Sequence, residues 1–161
     1  MIGDPIREEA TVSSTHRNVL ILAHRTAAAP ALLEAVRRRA QEGPCRFTLL
    51  VPSTAHGLHR VVDPQDHGRE EAEAVLELAL PHLEEAAGGP VEGVIGDPEP
   101  LAAVEDALNR ERFDEVMIST LPTRVSRWLH LDLPRKVAGL GLPVTTVRAH
   151  GRGEGAPDAM R

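Results

Sequence analysis

The sequence predicts an α/β protein built on a five-stranded parallel, doubly wound sheet with helices on both faces. Three observations predict it. Short apolar runs alternate with helical patterns along most of the chain. The runs are continuously apolar rather than alternating, which marks strands covered on both sides. The order is β-α-β-α-β-α-β-α-β, and right-handed crossovers between parallel strands then place helices on both faces.

The first strand is "VLILA", Val19–Ala23. "PALLEAVRRRAQEG" follows as a helix, with Leu32, Leu33, Val36 and Ala40 on one face, Pro30 in the first turn and Gly43 at the stop. "RFTLLV", Arg46–Val51, is the second strand, and residues 52–68 are expected to form a long loop. In "REEAEAVLELALPHLEEAAGG" the helical period turns Val75, Leu76, Ala79 and Leu83 inward. Pro81 should kink or break that helix, because it lacks an amide donor.

"VEGVIG", Val91–Gly96, is the third strand. The next helix is expected to take Asp97 as N-cap, with Pro98 just inside and Leu101, Val104 and Leu108 facing in. "EVMIS", Glu115–Ser119, is the fourth strand. A helix over about Leu133–Leu140 leads to the fifth, "PVTTV", Pro143–Val147. Residues 1–16 and 150–161 are polar or glycine-rich and aperiodic. They read as flexible tails around a single domain over 17–149.

Composition narrows the function. With 161 residues and 42% hydrophobic content, one domain can bury a real core. A net charge of −6 and only 2% aromatics argue against a nucleic-acid surface. Lys136 is the only lysine, so arginine usage is a general feature of the chain and no single surface Arg is a signal. Cys45 is the only cysteine, which excludes an internal disulfide. No apolar run approaches the roughly 20 residues that span a bilayer, and the N-terminus lacks the apolar core of a signal peptide. The expectation is a cytoplasmic protein.

The element order from about Asn18 to Arg148 resembles that of the universal stress protein family. "VEGVIGDPEPLAAVEDAL" resembles the family's third strand, Gly-Asp-Pro turn and following helix. "FDEVMIST…SRWL…PVTTV" resembles its fourth strand, ligand loop and last strand. The resemblance implies a Rossmann-like, adenine-nucleotide-alpha-hydrolase-like sheet of order 3-2-1-4-5. It also implies a homodimer paired through the last strand.

ATP-binding members of that family carry Gly-x-x-Gly, about nine residues, then Gly-Ser/Thr, and an Asp after the first strand. Here Ser119 and Pro122 stand at the two glycines. Asp132 and Leu133 stand approximately at the Gly-Ser pair, and His24, after Ala23, stands at the Asp. Val51 fits a position that packs against adenine.

In doubly wound sheets ligands bind beyond the strand C-termini, where the strand order reverses. The loops expected there are "HRTAA" after the first strand and "STLPTRVSR" after the fourth. A phosphate loop uses glycines so that bare amides can approach the anion. Pro122 has no amide hydrogen to offer, and Asp132 as an N-cap would occupy the amides of the next helix. Against this, Ser119, Thr120, Thr123 and Ser126 offer hydroxyls, and Arg25, Arg124 and Arg127 offer guanidinium groups. The bland alternative has those arginines solvated or paired with Asp132 and Glu115. Trp128 is expected to fasten the loop to the body or to a partner.

The loop "AHGLHRVVDPQDHG" collects His56, His59, Asp63, Asp66 and His67. Its spacing matches no firm metal signature and no Cys joins it, so the expectation is no metal. There is no Gly-x-Ser-x-Gly elbow, so Ser119 with His24 is the one nucleophile–base pairing to consider. The leading expectation is a stress-related regulatory protein without family-type ATP binding and without robust turnover, with slow nucleotide hydrolysis at most. The alternatives are a module for an ATP- or AMP-type nucleotide or another phosphorylated ligand held by side chains, and a weak hydrolase using Ser119 and His24.

Overall fold

The structure is a computed structural model. It describes residues 16–53, 64–122 and 126–149, with backbone alone over 64–67. Residues 1–15 and 150–161, assigned to tails from the sequence, lie outside the described residues.

The five strands are β1 (Arg17–Leu22), β2 (Cys45–Pro52), β3 (Val91–Gly96), β4 (Glu115–Thr120) and β5 (Val144–Arg148). All neighbours are parallel, in the order β3-β2-β1-β4-β5. The helices are α1 (Pro30–Glu42), α2 (Pro64–Ala87), α3 (Pro100–Arg110) and two short pieces, α4 (Arg127–His130) and α5 (Leu133–Ala138). The reversal of strand order falls between β1 and β4.

Strand periodicity divides the core into two layers. Val19, Ile21 and Ala23 of the β1 segment join Phe47, Leu49, Val51 and Met117 on one face, under α1 and α2. Leu20 and Leu22 join Leu50, Val116 and Ile118 on the other, under α3 and α5. These side chains are almost wholly buried, and each is worth ~1.5–3 kcal/mol of transfer free energy. The edge strands are less covered: β5 exposes Thr145 and Thr146 together.

Several boundaries differ from the sequence reading, each for a local reason. β1 starts at Arg17, whose amide donates to the Pro44 carbonyl at 3.1 Å, so pairing begins before the apolar run. Residues 64–68, expected in a loop, already belong to α2, which opens on Pro64; proline costs no donor at that position. α2 also runs unbroken through Pro81. The Pro81 ring and Glu77, whose carbonyl lacks its usual partner, are both exposed, so water can satisfy that carbonyl.

The N-cap of α3 is Glu99, not Asp97. Glu99 lies between Pro98 and Pro100, and the residue before a proline is pushed out of the helical region. It is extended at φ −87°, ψ 114°, and its carboxylate accepts from the Ala102 amide at 2.9 Å. Asp97 instead accepts from the Glu99 amide at 2.9 Å and shapes the approach. α4 was not expected at all. It starts at Ser126, whose Oγ accepts from the Leu129 amide at 3.1 Å. β5 is shifted by one residue, because Pro143 contributes its carbonyl to Val116 but no amide.

Candidate functional site

The crevice between the C-termini of β1 and β4 is floored by a pair of hydroxyls. β1 and β4 pair up to Leu22 and Ile118, which brings Ala23 and Ser119 side by side at the crest. Ala23 is fully buried and continues the ladder by donating to the Leu50 carbonyl at 3.2 Å. The chain then turns through residues 24–29, held by Ala27 N–H to the His24 carbonyl (3.2 Å) and Ala29 N–H to the Thr26 carbonyl (3.0 Å). That turn carries Thr26 over the end of β4. Its Oγ1 lies 2.6 Å from the Ser119 Oγ, with both residues almost fully buried. The Ser119 hydroxyl is also 3.4 Å from the Thr26 carbonyl.

The other hydroxyls of the loop are also used internally. Thr120 donates to the Leu121 carbonyl at 3.0 Å and is 2% exposed. Ser126 is the cap of α4 and equally buried. The expected ring of anion-facing hydroxyls is therefore not formed by Ser119, Thr120 and Ser126. Their geometry serves the turn, the strand end and a helix start. Beyond β5 the ladder beside β4 continues by one rung, with the Ala149 amide donating to the Thr120 carbonyl at 2.8 Å.

Asp132 also departs from expectation. It occupies the N-cap position of α5 but makes no side-chain cap, because its backbone is left-handed at φ 59°, ψ 36°. Its carboxylate lies 3.6 Å from Arg135 Nη1, on the surface. Glu115 is likewise taken, by Arg39 rather than by a loop arginine. Arg127 is exposed on α4 and has no ion pair among the described residues. Arg25 is exposed at the tip of the β1 turn. Thr123 and Arg124 lie outside the described residues. Trp128 packs, half-buried, on the core layer under α3 and α5, which fastens the loop to the body as expected.

His24 lies beside this crevice with its side chain 11% exposed, and its Nε2 is 3.7 Å from Glu71 Oε1 on α2. Ser119 makes its hydrogen bonds with Thr26. The Ser119–His24 pairing considered from the sequence is therefore not brought together. Val51 is fully buried in the layer under α1 and α2, so its side chain belongs to the core rather than to an open adenine wall. His56 and His59 lie outside the described residues, as does the side chain of His67. Among the described residues no three metal-ligating side chains cluster, and no helix is long and apolar enough to cross a membrane.

Thr26 is the site residue that sequence reasoning missed. Its signal was present in "HRTAA": the loops after β1 and β4 adjoin at a switch point, so a hydroxyl in one can meet a hydroxyl in the other.

No protein-family model matches the sequence, and no curated protein matches it at a significant level. Solved structures do match in shape. A universal stress protein from Archaeoglobus fulgidus superposes with a TM-score of 0.59 at 14% identity, covering 86% of this chain and 98% of that one. A universal stress protein family protein from Arabidopsis thaliana, with AMP bound, gives 0.56 at 14% identity, covering 84% and 93%. A universal stress protein in complex with cAMP gives 0.54 at 16% identity, covering 81% and 96%. The likeness runs over most of this chain and nearly the whole of each of those structures: the chain has the universal stress protein fold.

Proposed function

We propose that this chain is a universal stress protein-like regulatory protein of the cytoplasm that does not hold ATP through a glycine-type phosphate loop. The observation that carries this reading is the 2.6 Å bond between Thr26 and Ser119. A phosphate cradle needs donors pointing outward into the crevice. Here a side chain stands at Ser119, where the resemblance puts the first glycine, and its hydroxyl is turned to a partner in the opposite loop. Pro122 removes an amide from the same loop. In this reading the loop is structural, and the protein acts by presenting its surface to a partner.

Titration calorimetry of the full chain with Mg-ATP, AMP and cAMP tests it. The expected result is no saturable heat at ligand concentrations up to about 1 mM. Micromolar binding that disappears in Arg124→Ala would overturn it.

A second reading is favoured by Arg127 and by the released Asp132 carboxylate. The Arg127 guanidinium on α4 has no ion pair among the described residues, and the next helix, α5, starts without a side-chain cap. Two of the structurally similar proteins are described with AMP and with cAMP. In that case side chains replace backbone amides, and an adenine nucleotide or another phosphorylated ligand should co-purify. Native mass spectrometry separates the readings: a bound-nucleotide mass favours the second, and a bare chain mass the first.

A further inference from the structure

The C-terminal end of β3 and the sheet-facing side of α3 border a cleft separated by β2 from the β1–β4 crevice. Its volume is about 180 Å³. Small residues create it. Gly96, Ala103 and Ala107 line the junction of strand and helix, and Leu50 and Val94, on the same face of the sheet, complete an apolar floor. The junction itself is tight. A Cβ on Gly96 would lie 2.8 Å from the Ala103 Cβ and 2.8 Å from a Leu50 methyl, so the helix sits directly on the strand. The cleft opens beyond that contact, where Ala107 presents only a methyl group.

The rim carries both signs of charge. Arg69 and Arg110 lie on it with Asp97 and Asp106. Asp106 and Arg110 are four residues apart on α3, a spacing that commonly pairs opposite charges. Neither has an ion pair among the described residues. Asp97 uses one carboxylate oxygen on the Glu99 amide and keeps the other for the rim. Among the described residues Arg69 meets only Glu73, at 3.8 Å across an exposed surface, which is a weak contact.

We propose that this cleft is a binding site for a free aliphatic amino acid. The arginines take the α-carboxylate, Asp97 and Asp106 take the α-ammonium, and the aliphatic side chain lies on the apolar floor. Size supports this class. The volume is below the ~300–1,000 Å³ usual for drug-sized ligands and suits a molecule of few heavy atoms. A single-sign ligand would leave half of the rim charges uncompensated, whereas a zwitterion matches both.

The test is an amide-shift titration of the isotope-labelled full chain with L-leucine. It is run in parallel with 4-methylpentanoate, which lacks the ammonium, and isopentylamine, which lacks the carboxylate. The expected result is saturable shifts at Gly96, Asp97, Ala103 and Ala107 with leucine, weakened at least about tenfold with either analogue. Ala107→Leu, which fills the cleft and keeps helix propensity, should abolish the shifts while leaving the rest of the spectrum native. Asp106→Asn should weaken leucine but not 4-methylpentanoate. No shifts at these residues up to about 10 mM leucine, equal shifts from both analogues, or unchanged binding in Ala107→Leu would each overturn the proposal.

Discussion

Arg39 grips Glu115 with both arms of its guanidinium, Nε to Oε1 and Nη2 to Oε2, each at 2.9 Å. The pair ties the last turn of α1 to the first residue of β4, at the end of the sheet opposite the β1–β4 crevice. Both side chains are largely covered, at 17% and 19% exposure, and Glu42 lies 3.5 Å from the same guanidinium. The hydrogen bonding to Glu115 pushes Arg39 further above its already basic range, so it stays charged at every pH at which the chain folds. Arg39→Met leaves the Glu115 carboxylate without its partner. It should cost about 1–3 kcal/mol, read from urea unfolding midpoints. Arg39→Lys keeps the charge but not the fork, and should fall between wild type and Met.

The Thr26–Ser119 pair predicts a non-additive cycle. Ser119→Ala leaves the buried Thr26 hydroxyl without its partner, and Thr26→Val leaves the Ser119 hydroxyl only the long 3.4 Å contact to the residue-26 carbonyl; each should cost ~1–3 kcal/mol. The double variant removes both hydroxyls together and should cost no more than the worse single one. Denaturant melts of the four proteins check this; strictly additive losses would mean that the two hydroxyls do not depend on each other.

Asp132 is the one non-glycine residue with positive φ among those described. It follows α4 and precedes α5, and the left-handed turn lets the Lys136 amide reach the Asp132 carbonyl at 3.2 Å. Asp tolerates this region better than branched residues do, and its surface pair with Arg135 adds little. Asp132→Val should therefore destabilise by about 1–2 kcal/mol, while Asp132→Gly stays at or slightly above wild type. Thermal melts of both variants give the order.

Cys45 sits at the start of β2, with its thiol 3.8 Å from the Arg39 carbonyl. Burial pushes the thiol up from its ordinary value of 9.0, outweighing the nearby Arg39 charge. The thiolate is the reactive form. Alkylation near about pH 8 should thus be slow in the folded chain and faster once it is unfolded in urea. The linkage has a definite sign. A pKa raised by folding adds stability below the unfolded thiol's value, and that stability is lost as pH rises through the folded value. Cys45→Ser should remove this alkaline loss from the pH–stability profile.

The dimer expected from the family resemblance has a specific test on β5. The Pro143 carbonyl and the Ala149 amide both bond toward β4, so by alternation Thr145 and Val147 face inward as well. Thr146 then directs its amide and carbonyl to the outer edge, next to an exposed Thr145. Thr146→Pro removes an outward donor without touching the β4 ladder. If two copies pair through β5, light scattering should show a dimer in wild type and a folded monomer in Thr146→Pro. A dimer in both would exclude this edge.

Sequence alone determined the α/β class, the five strands, their parallel arrangement and the crossing helices. Those follow from apolar runs and helical periods, which are local and repeat several times. It also marked the β1–β4 switch point, because the reversal of strand order is a consequence of topology. Tertiary structure decided what the site residues do. A hydroxyl in "STLPTR" reads the same whether it faces a phosphate or a neighbour, and only the meeting of the β1 and β4 loops gives Ser119 to Thr26. Asp132 looked like a cap by spacing, yet its left-handed backbone turns the carboxylate to Arg135. Glu115 looked available to the loop arginines until α1 brought Arg39 to it. Hydrogen-bond partners far apart in the chain are chosen by packing geometry, and no local pattern in the sequence encodes that choice.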